Sequence, residues 1–313
     1  MKPEPDHLAC ARGAAKALDV VRAYAACRPD DFTARDRSVA QDALESGTIA
    51  YLPRLGFEIG AGARFLSERW SDGQSKNISL RAGATQVRGA AGSAADLAEL
   101  AALLERFAQH SETLVGALLP GYAGQMRRAG TSLRPFEITS RRSTWRKDDT
   151  RLHVDSFPSN PTGGVRLLRV FCNVNPHGVS RVWRIGEPFA HFAHRFHGRV
   201  RRPRPWLAGA LHALGVTKQK RSPYDHLMLQ LHDRAKADAA YQREAPQQEF
   251  AFPAGATWMV FTDQVLHAAM SGQHAFEQTF LVSPAALADA ERSPLRVLER
   301  LTGTRLAGSA VAH

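Results

Sequence analysis

Between Thr150 and Val174 the chain alternates polar and apolar positions. In Arg151 to Asp155, Leu152 and Val154 interleave with Arg151, His153 and Asp155. A period of two predicts a strand, with His153 and Asp155 side by side on one face. A Pro/Gly turn over 158–164 follows, then a second alternating run, RLLRVFCNV. One face of that run carries Leu167, Arg169, Phe171 and Asn173. The other carries Leu168, Val170, Cys172 and Val174, is wholly apolar, and is expected in the core.

The period changes elsewhere. AELAALLERFAQHSETLVGALL repeats its apolar residues at three- and four-residue spacing, which predicts one or two helices over 94–129, broken at Pro120-Gly121. A short strand is expected in 47–60. Residues 187–245 read as mainly helical, and QEFAFP, ATWMVFTD, VLHAAMSG and FEQTFLV as strands. A helix over 284–302 closes the pattern. Strands on both sides of a helical insertion predict an α+β protein with a jelly-roll or double-stranded β-helix core. The expected organisation is an N-terminal helical extension (1–46), a domain over 47–285 with a basic helical insert at about 187–245, and a C-terminal helix and tail (286–313).

The 313 residues are 44% hydrophobic, enough for a full core. Cys10, Cys27 and Cys172 show no C-x-x-C spacing, which argues against a zinc ribbon or disulfide framework and for a reducing compartment. No apolar run reaches membrane-spanning length, and the N-terminal residues are too mixed for a secretory signal. The formal charge of +11 points to an anionic partner.

His153 and Asp155 gain weight from His267, 112 residues after Asp155. H-x-D plus a distant histidine is the ligand pattern of a two-His-one-carboxylate site, which leaves one face of the metal open and suits non-haem Fe(II) and O₂. The motif is short. With 13 histidines, about one H-x-[DE] arises by chance, and His110/Glu112 is a second example. On a helix those two side chains point about 200° apart and cannot chelate together. His267 alone also reads as an ordinary surface or core histidine, while Asp263 and Gln264 mark a turn or pocket mouth before it. Arg169, on a largely apolar strand, needs an anionic partner. It either pairs with an acid of the chain or clamps a dicarboxylate co-substrate.

Residues 195–221 hold eight Lys/Arg and no acid around an apolar stretch with Trp206, Leu207, Leu211 and Leu214. This pattern reads as an interfacial contact with anionic lipid, a solvated basic loop or, third, a nucleic-acid patch. Aromatic residues are too sparse among the charges for a single-strand stacking platform, so nucleic acid is not expected as a partner.

Residues 144–189 (TWRKDDTRLHVDSFPSNPTGGVRLLRVFCNVNPHGVSRVWRIGEPF) and 258–282 (WMVFTDQVLHAAMSGQHAFEQTFLV) resemble the Kdo hydroxylase family, as do YLPRLGF and YDHLMLQLHDRAKAD; the likeness spans roughly 45–285. The resemblance implies an Fe(II)/2-oxoglutarate-dependent dioxygenase that hydroxylates 3-deoxy-D-manno-oct-2-ulosonic acid (Kdo) at C3, forming Ko, in the lipopolysaccharide inner core. It implies a double-stranded β-helix, O₂ as co-substrate, ascorbate as an auxiliary reductant, and His153, Asp155 and His267 as iron ligands. Many relatives in the wider superfamily hold 2-oxoglutarate with an arginine about ten residues after the distal histidine. Here that neighbourhood is Phe276-Glu277-Gln278-Thr279. Arg169 is therefore the first clamp candidate, with Arg181 and Arg184 in reserve and Asn173 beside them. Arg134, Arg146 and Lys147 are unassigned cations near the same segments. A Kdo-bearing lipid A substrate implies a cytoplasmic enzyme, peripheral on the inner face of the inner membrane and held there by 195–221. The alternatives are a 2-oxoglutarate dioxygenase for another anionic metabolite and a non-catalytic cupin-like binding protein.

Overall fold

The computed structural model describes residues 18–140, 144–201, 209, 212–218 and 220–307. Trp206, Leu207, Leu211 and Cys10 lie outside the described residues. Among those described, Cys27 and Cys172 are free.

Two sheets face each other. The larger runs β1 (Val21–Ala23), β2 (Ile49–Leu52), β8 (Thr257–Phe261), β5 (Arg166–Asn173), β10 (Ala275–Val282), β4 (Met126–Arg134) and β3 (Ile78–Arg81) in spatial order. Among its described strands only the β1–β2 pair is parallel. The smaller runs β7 (Gln247–Phe252), β6 (Arg181–Gly186) and β9 (His267–Ser271). Phe171, Trp258 and Val260 from the large sheet meet Trp183, Phe252 and Ala269 from the small one. Phe252 stacks on Trp258 at 4.1 Å between ring centres, a favourable offset aromatic packing.

The alternation along β5 works as the sequence predicts. Leu168, Val170 and Cys172 turn outward to helices α1 (Ala34–Glu45) and α2 (Ala94–Leu118), while Phe171 turns into the space between the sheets. Helix α2 starts at a capping box, with the Ser93 hydroxyl accepting from the Asp96 N–H and the Asp96 carboxylate accepting from the Ser93 N–H. Its buried stripe includes Leu100, Leu104, Phe107 and Leu114. On the far side, α3 (Phe189–His197), α4 (Pro223–Ala237), α5 (Ala239–Glu244) and α6 (Pro294–Thr302) cover the small sheet. Leu152, Val154, Leu266 and Ala268 are buried in that helical layer.

Four expectations change. In the described part of 1–46, α1 is helical as expected, but Val21–Ala23 is not: β1 pairs with β2 and extends the large sheet. Short, locally polar edge strands give little periodic signal. The helical run read to 129 ends at Leu118, and 126–129 belong to β4. Residues 151–155 are extended but join the sheet only through the isolated His153–His267 bridge. The C-terminal helix begins at Pro294, after two 3-10 turns.

Candidate metal centre

The site begins with backbone pairing. The His153 N–H donates to the His267 carbonyl at 3.1 Å, and the His267 N–H returns the bond at 2.9 Å. The Asp155 N–H donates to the Thr262 carbonyl at 2.8 Å. These bonds bring together residues that are far apart in the chain, and one ligand atom from each of His153, Asp155 and His267 lies within 4.8 Å of the others.

The donor chemistry fits a divalent transition metal. His153 Nδ1 is 2.7 Å from the Arg151 carbonyl, and His267 Nδ1 is 2.8 Å from the Val265 carbonyl. A carbonyl can only accept, so each Nδ1 carries the proton and each Nε2 keeps its lone pair for a metal. Burial is the main cause that holds both imidazoles below their ordinary titration range, hence neutral. Burial alone would raise the Asp155 carboxyl, but Arg169, with His267 and His153, outweighs it and holds the group well below the usual carboxylate range. Two neutral imidazoles and a carboxylate on one side of an open cavity form a facial donor set. The Trp183 ring stacks on His267, and His232 on α4 meets His153 edge-on.

The donors line a cavity of about 220 Å³ that opens into an outer trough of about 910 Å³. Lys76, Asn77, Arg134, Asp149 and Arg181 border both. The inner cavity has four cationic side chains (Lys76, Arg134, Arg169, Arg181) and three carboxylates (Asp149, Asp155, Glu277). With neutral histidines its fixed charge is one positive.

The cations are not equivalent. Arg169 Nη1 sits 3.2 Å from Asp155 Oδ2 and 3.1 Å from Glu277 Oε1. Arg134 pairs with Glu277 and lies 3.6 Å from Asp149, and Lys76 pairs with Asp149. Arg181 is 1% exposed and, among the described residues, forms no ion pair. Its Nη1 donates to the Gly272 carbonyl at 3.1 Å, and its Nε has no partner. Burial, and then the Arg134 cation, draws its guanidinium down from the usual arginine range to about 9.

The other sequence candidates are elsewhere. Arg184 alternates to the opposite face of β6 from Arg181 and donates to the Thr150 carbonyl and Met270 Sδ. Asn173 spends its amide N–H groups on the Val179 and Phe252 carbonyls. Arg146 pairs with Asp233 on the surface, and Lys147 borders the outer trough. Asp263 and Gln264 hold Arg166 behind the turn that leads to His267. His110 packs on α2 against Phe57 and Phe107 and belongs to no cluster of metal donors among the described residues. Lys76 and Asp149 were missed, because a loop lysine and one acid of a DD pair carry no periodic or motif signal. Glu277 was visible only as the missing cation ten residues after His267.

A family profile described as 3-deoxy-D-manno-oct-2-ulosonic acid (Kdo) hydroxylase matches residues 29–305. Among solved structures, the chain is similar to the Kdo hydroxylase KdoO, described as a non-heme Fe(II) alphaketoglutarate dependent dioxygenase, in complex with cobalt(II). The two share 43% identity with a TM-score of 0.90, over 94% of this chain and 99% of that one. The same protein with alphaketoglutarate and Fe(III) matches at 42% identity and a TM-score of 0.90, over the same shares of the two chains. Its succinate and Fe(III) complex matches at 43% identity and a TM-score of 0.89, again over 94% and 99%. A search of curated proteins found no match.

Proposed function

The chain belongs to the Kdo hydroxylase family, and from that premise we propose that it is an Fe(II)/2-oxoglutarate-dependent dioxygenase that hydroxylates Kdo at C3. The observation that carries the reading is the meeting of His153, Asp155 and His267 in a buried cationic cavity. The two facing sheets around that cavity support a double-stranded β-helix core.

His153 Nε2, Asp155 and His267 Nε2 would hold iron(II). When bound with 2-oxoglutarate and O₂, the iron supplies the oxidising power for C–H hydroxylation, with succinate and CO₂ as by-products. Every other task falls to the chain. Arg151 and Val265 carbonyls keep both Nε2 atoms free, and Arg169 holds Asp155 ionised. Arg181 is the better clamp for the distal carboxylate, since Arg169 is already shared between two acids of the chain. Trp183 and Phe171 form an apolar wall that excludes water from the inner cavity.

Charge matching supports an acidic sugar. The cavity's single net positive charge becomes three with Fe(II) and returns to one with the 2-oxoglutarate dianion. One substrate carboxylate neutralises the remainder. The outer trough, with Asn77, Thr139 and Thr144, has the polarity for a polyol. The substrate form we favour is Kdo on lipid A, which places the protein on the cytoplasmic face of the inner membrane. In the described part of the basic stretch, Leu214 is 77% and Val216 53% exposed, as suits a lipid contact. No described helix is long and apolar enough to cross a membrane.

The test is mass spectrometry of Kdo-lipid A incubated with the purified chain, Fe(II), 2-oxoglutarate and O₂. A gain of one oxygen on Kdo is expected. Succinate formation with the oxygen on another substrate would overturn the substrate assignment.

A further inference from the structure

Glu277 is a full acid buried where the sheet could have carried a neutral residue. It stands on β10, opposite Ser132 of β4 and Phe171 of β5. Neighbouring Phe276 turns outward into the core beneath α2. Glu277 is 7% exposed, so its charge must be compensated by the protein. Arg134 binds it through Nε at 3.0 Å and through Nη2, and Arg169 Nη1 approaches at 3.1 Å.

The same Arg169 nitrogen is 3.2 Å from Asp155 Oδ2, while Asp155 Oδ1 faces His153 Nε2 at 3.7 Å. Arg169 thus separates the two oxygens of the carboxylate, one toward the guanidinium and one toward the imidazole donor. Its own orientation has little other support: Nε has no partner, and the Phe157 ring lies 5.5 Å from its Cζ.

We propose that Glu277 is a positioning residue for the metal-binding carboxylate, acting through Arg169, and that it also holds down the cavity's affinity for anions. The proposal rests on the iron-binding reading above. Glu277 anchors Arg169, and Arg169 turns one Asp155 oxygen to the metal. By cancelling one cation, Glu277 keeps the cavity's fixed charge at one positive rather than two. Loss of a merely structural acid would instead weaken metal and anion binding together.

The experiment titrates the metal-free chain with Co(II), followed by its visible spectrum, and separately with succinate by calorimetry. Glu277→Gln should bind Co(II) about tenfold more weakly, as expected when the support of a metal ligand is lost. It should bind succinate severalfold more tightly. Arg169→Gln should lose the same Co(II) affinity, and the double variant should lose no more than Arg169→Gln alone. Additive losses, unchanged Co(II) affinity in Glu277→Gln, or weaker succinate binding would each overturn the proposal. If Glu277→Gln does not fold, Glu277→Asp keeps the charge and must then keep wild-type succinate affinity while losing part of the Co(II) affinity. A wild-type chain that binds no Co(II) would instead overturn the iron reading itself.

Discussion

His153 and His267 are hydrogen-bonded to each other through their main chains in both directions, at 3.1 and 2.9 Å. Their imidazole rings lie 4.8 Å apart between centres. Backbone register therefore sets the two candidate imidazole donors, whereas Asp155 also faces a charged side chain, Arg169, at 3.2 Å.

Asp155→Ala removes the only carboxylate of the donor set while leaving that register intact. It should abolish 2-oxoglutarate-dependent succinate formation and Co(II) binding with the fold retained. Succinate release at the wild-type rate would sink the metal assignment.

Arg166 and Asp263 form a fully buried pair behind the turn that supports Asp155 and leads to His267, with Arg166 Nε 2.7 Å from the carboxylate. Truncation to Arg166→Ala leaves Asp263 charged and unpaired. The expected loss is about 3–5 kcal/mol of stability, measured by denaturant unfolding, together with weaker Co(II) binding. A variant as stable as wild type would refute this account of the turn.

Arg181 and Arg184 separate the clamp candidates by strand face. Arg181→Met should raise the 2-oxoglutarate KM by roughly 10–100-fold, the loss of a charged hydrogen-bonded contact. Arg184→Met should change it little. Gly272→Ala offers an independent check. Gly272 has φ +109°, and a Cβ there would come within 2.8 Å of the Arg181 Cα. It should raise the same KM without touching the metal donors.

His110 provides the pH prediction. Burial against Phe57 and Phe107 holds its imidazole below the ordinary value of 6.5. The unfolded chain takes up a proton that the folded chain refuses, so stability is full above that value and falls as pH drops below it. His110→Phe should remove part of this fall. Unfolding midpoints at pH 8 and 5.5 measure it, and an unchanged difference between the two would count against the assignment.

The proposed membrane contact rests on charge and exposure together. Vesicles rich in anionic lipid should float the chain and zwitterionic ones should not, with binding lost in high salt. Leu214→Ser with Val216→Ser should weaken flotation. Equal flotation on both vesicle types would argue against the lipid contact.

The sequence by itself determined the elements whose two faces meet different surroundings. The alternation of β5 separated Leu168, Val170 and Cys172 from Arg169 because a pleated strand must send successive side chains to opposite sides. The same rule paired His153 with Asp155, and helical spacing dismissed His110 and Glu112. The likeness of 144–189 and 258–282 to a known family supplied the chemistry that spacing left open. Tertiary structure alone decided how the charges were shared. Glu277, Arg134 and Arg169 come from β10, β4 and β5, and Asp149 and Lys76 from two separate loops, with no periodic relation between them. Which arginine is already paired and which is free depends on distances of a few ångströms across strands, and Coulomb interactions in a buried site turn on those distances. The pattern could therefore name Arg169 and Arg181 as candidates, but only the packed sheets show that the first is occupied by Asp155 and Glu277 while the second, among the described residues, forms no ion pair.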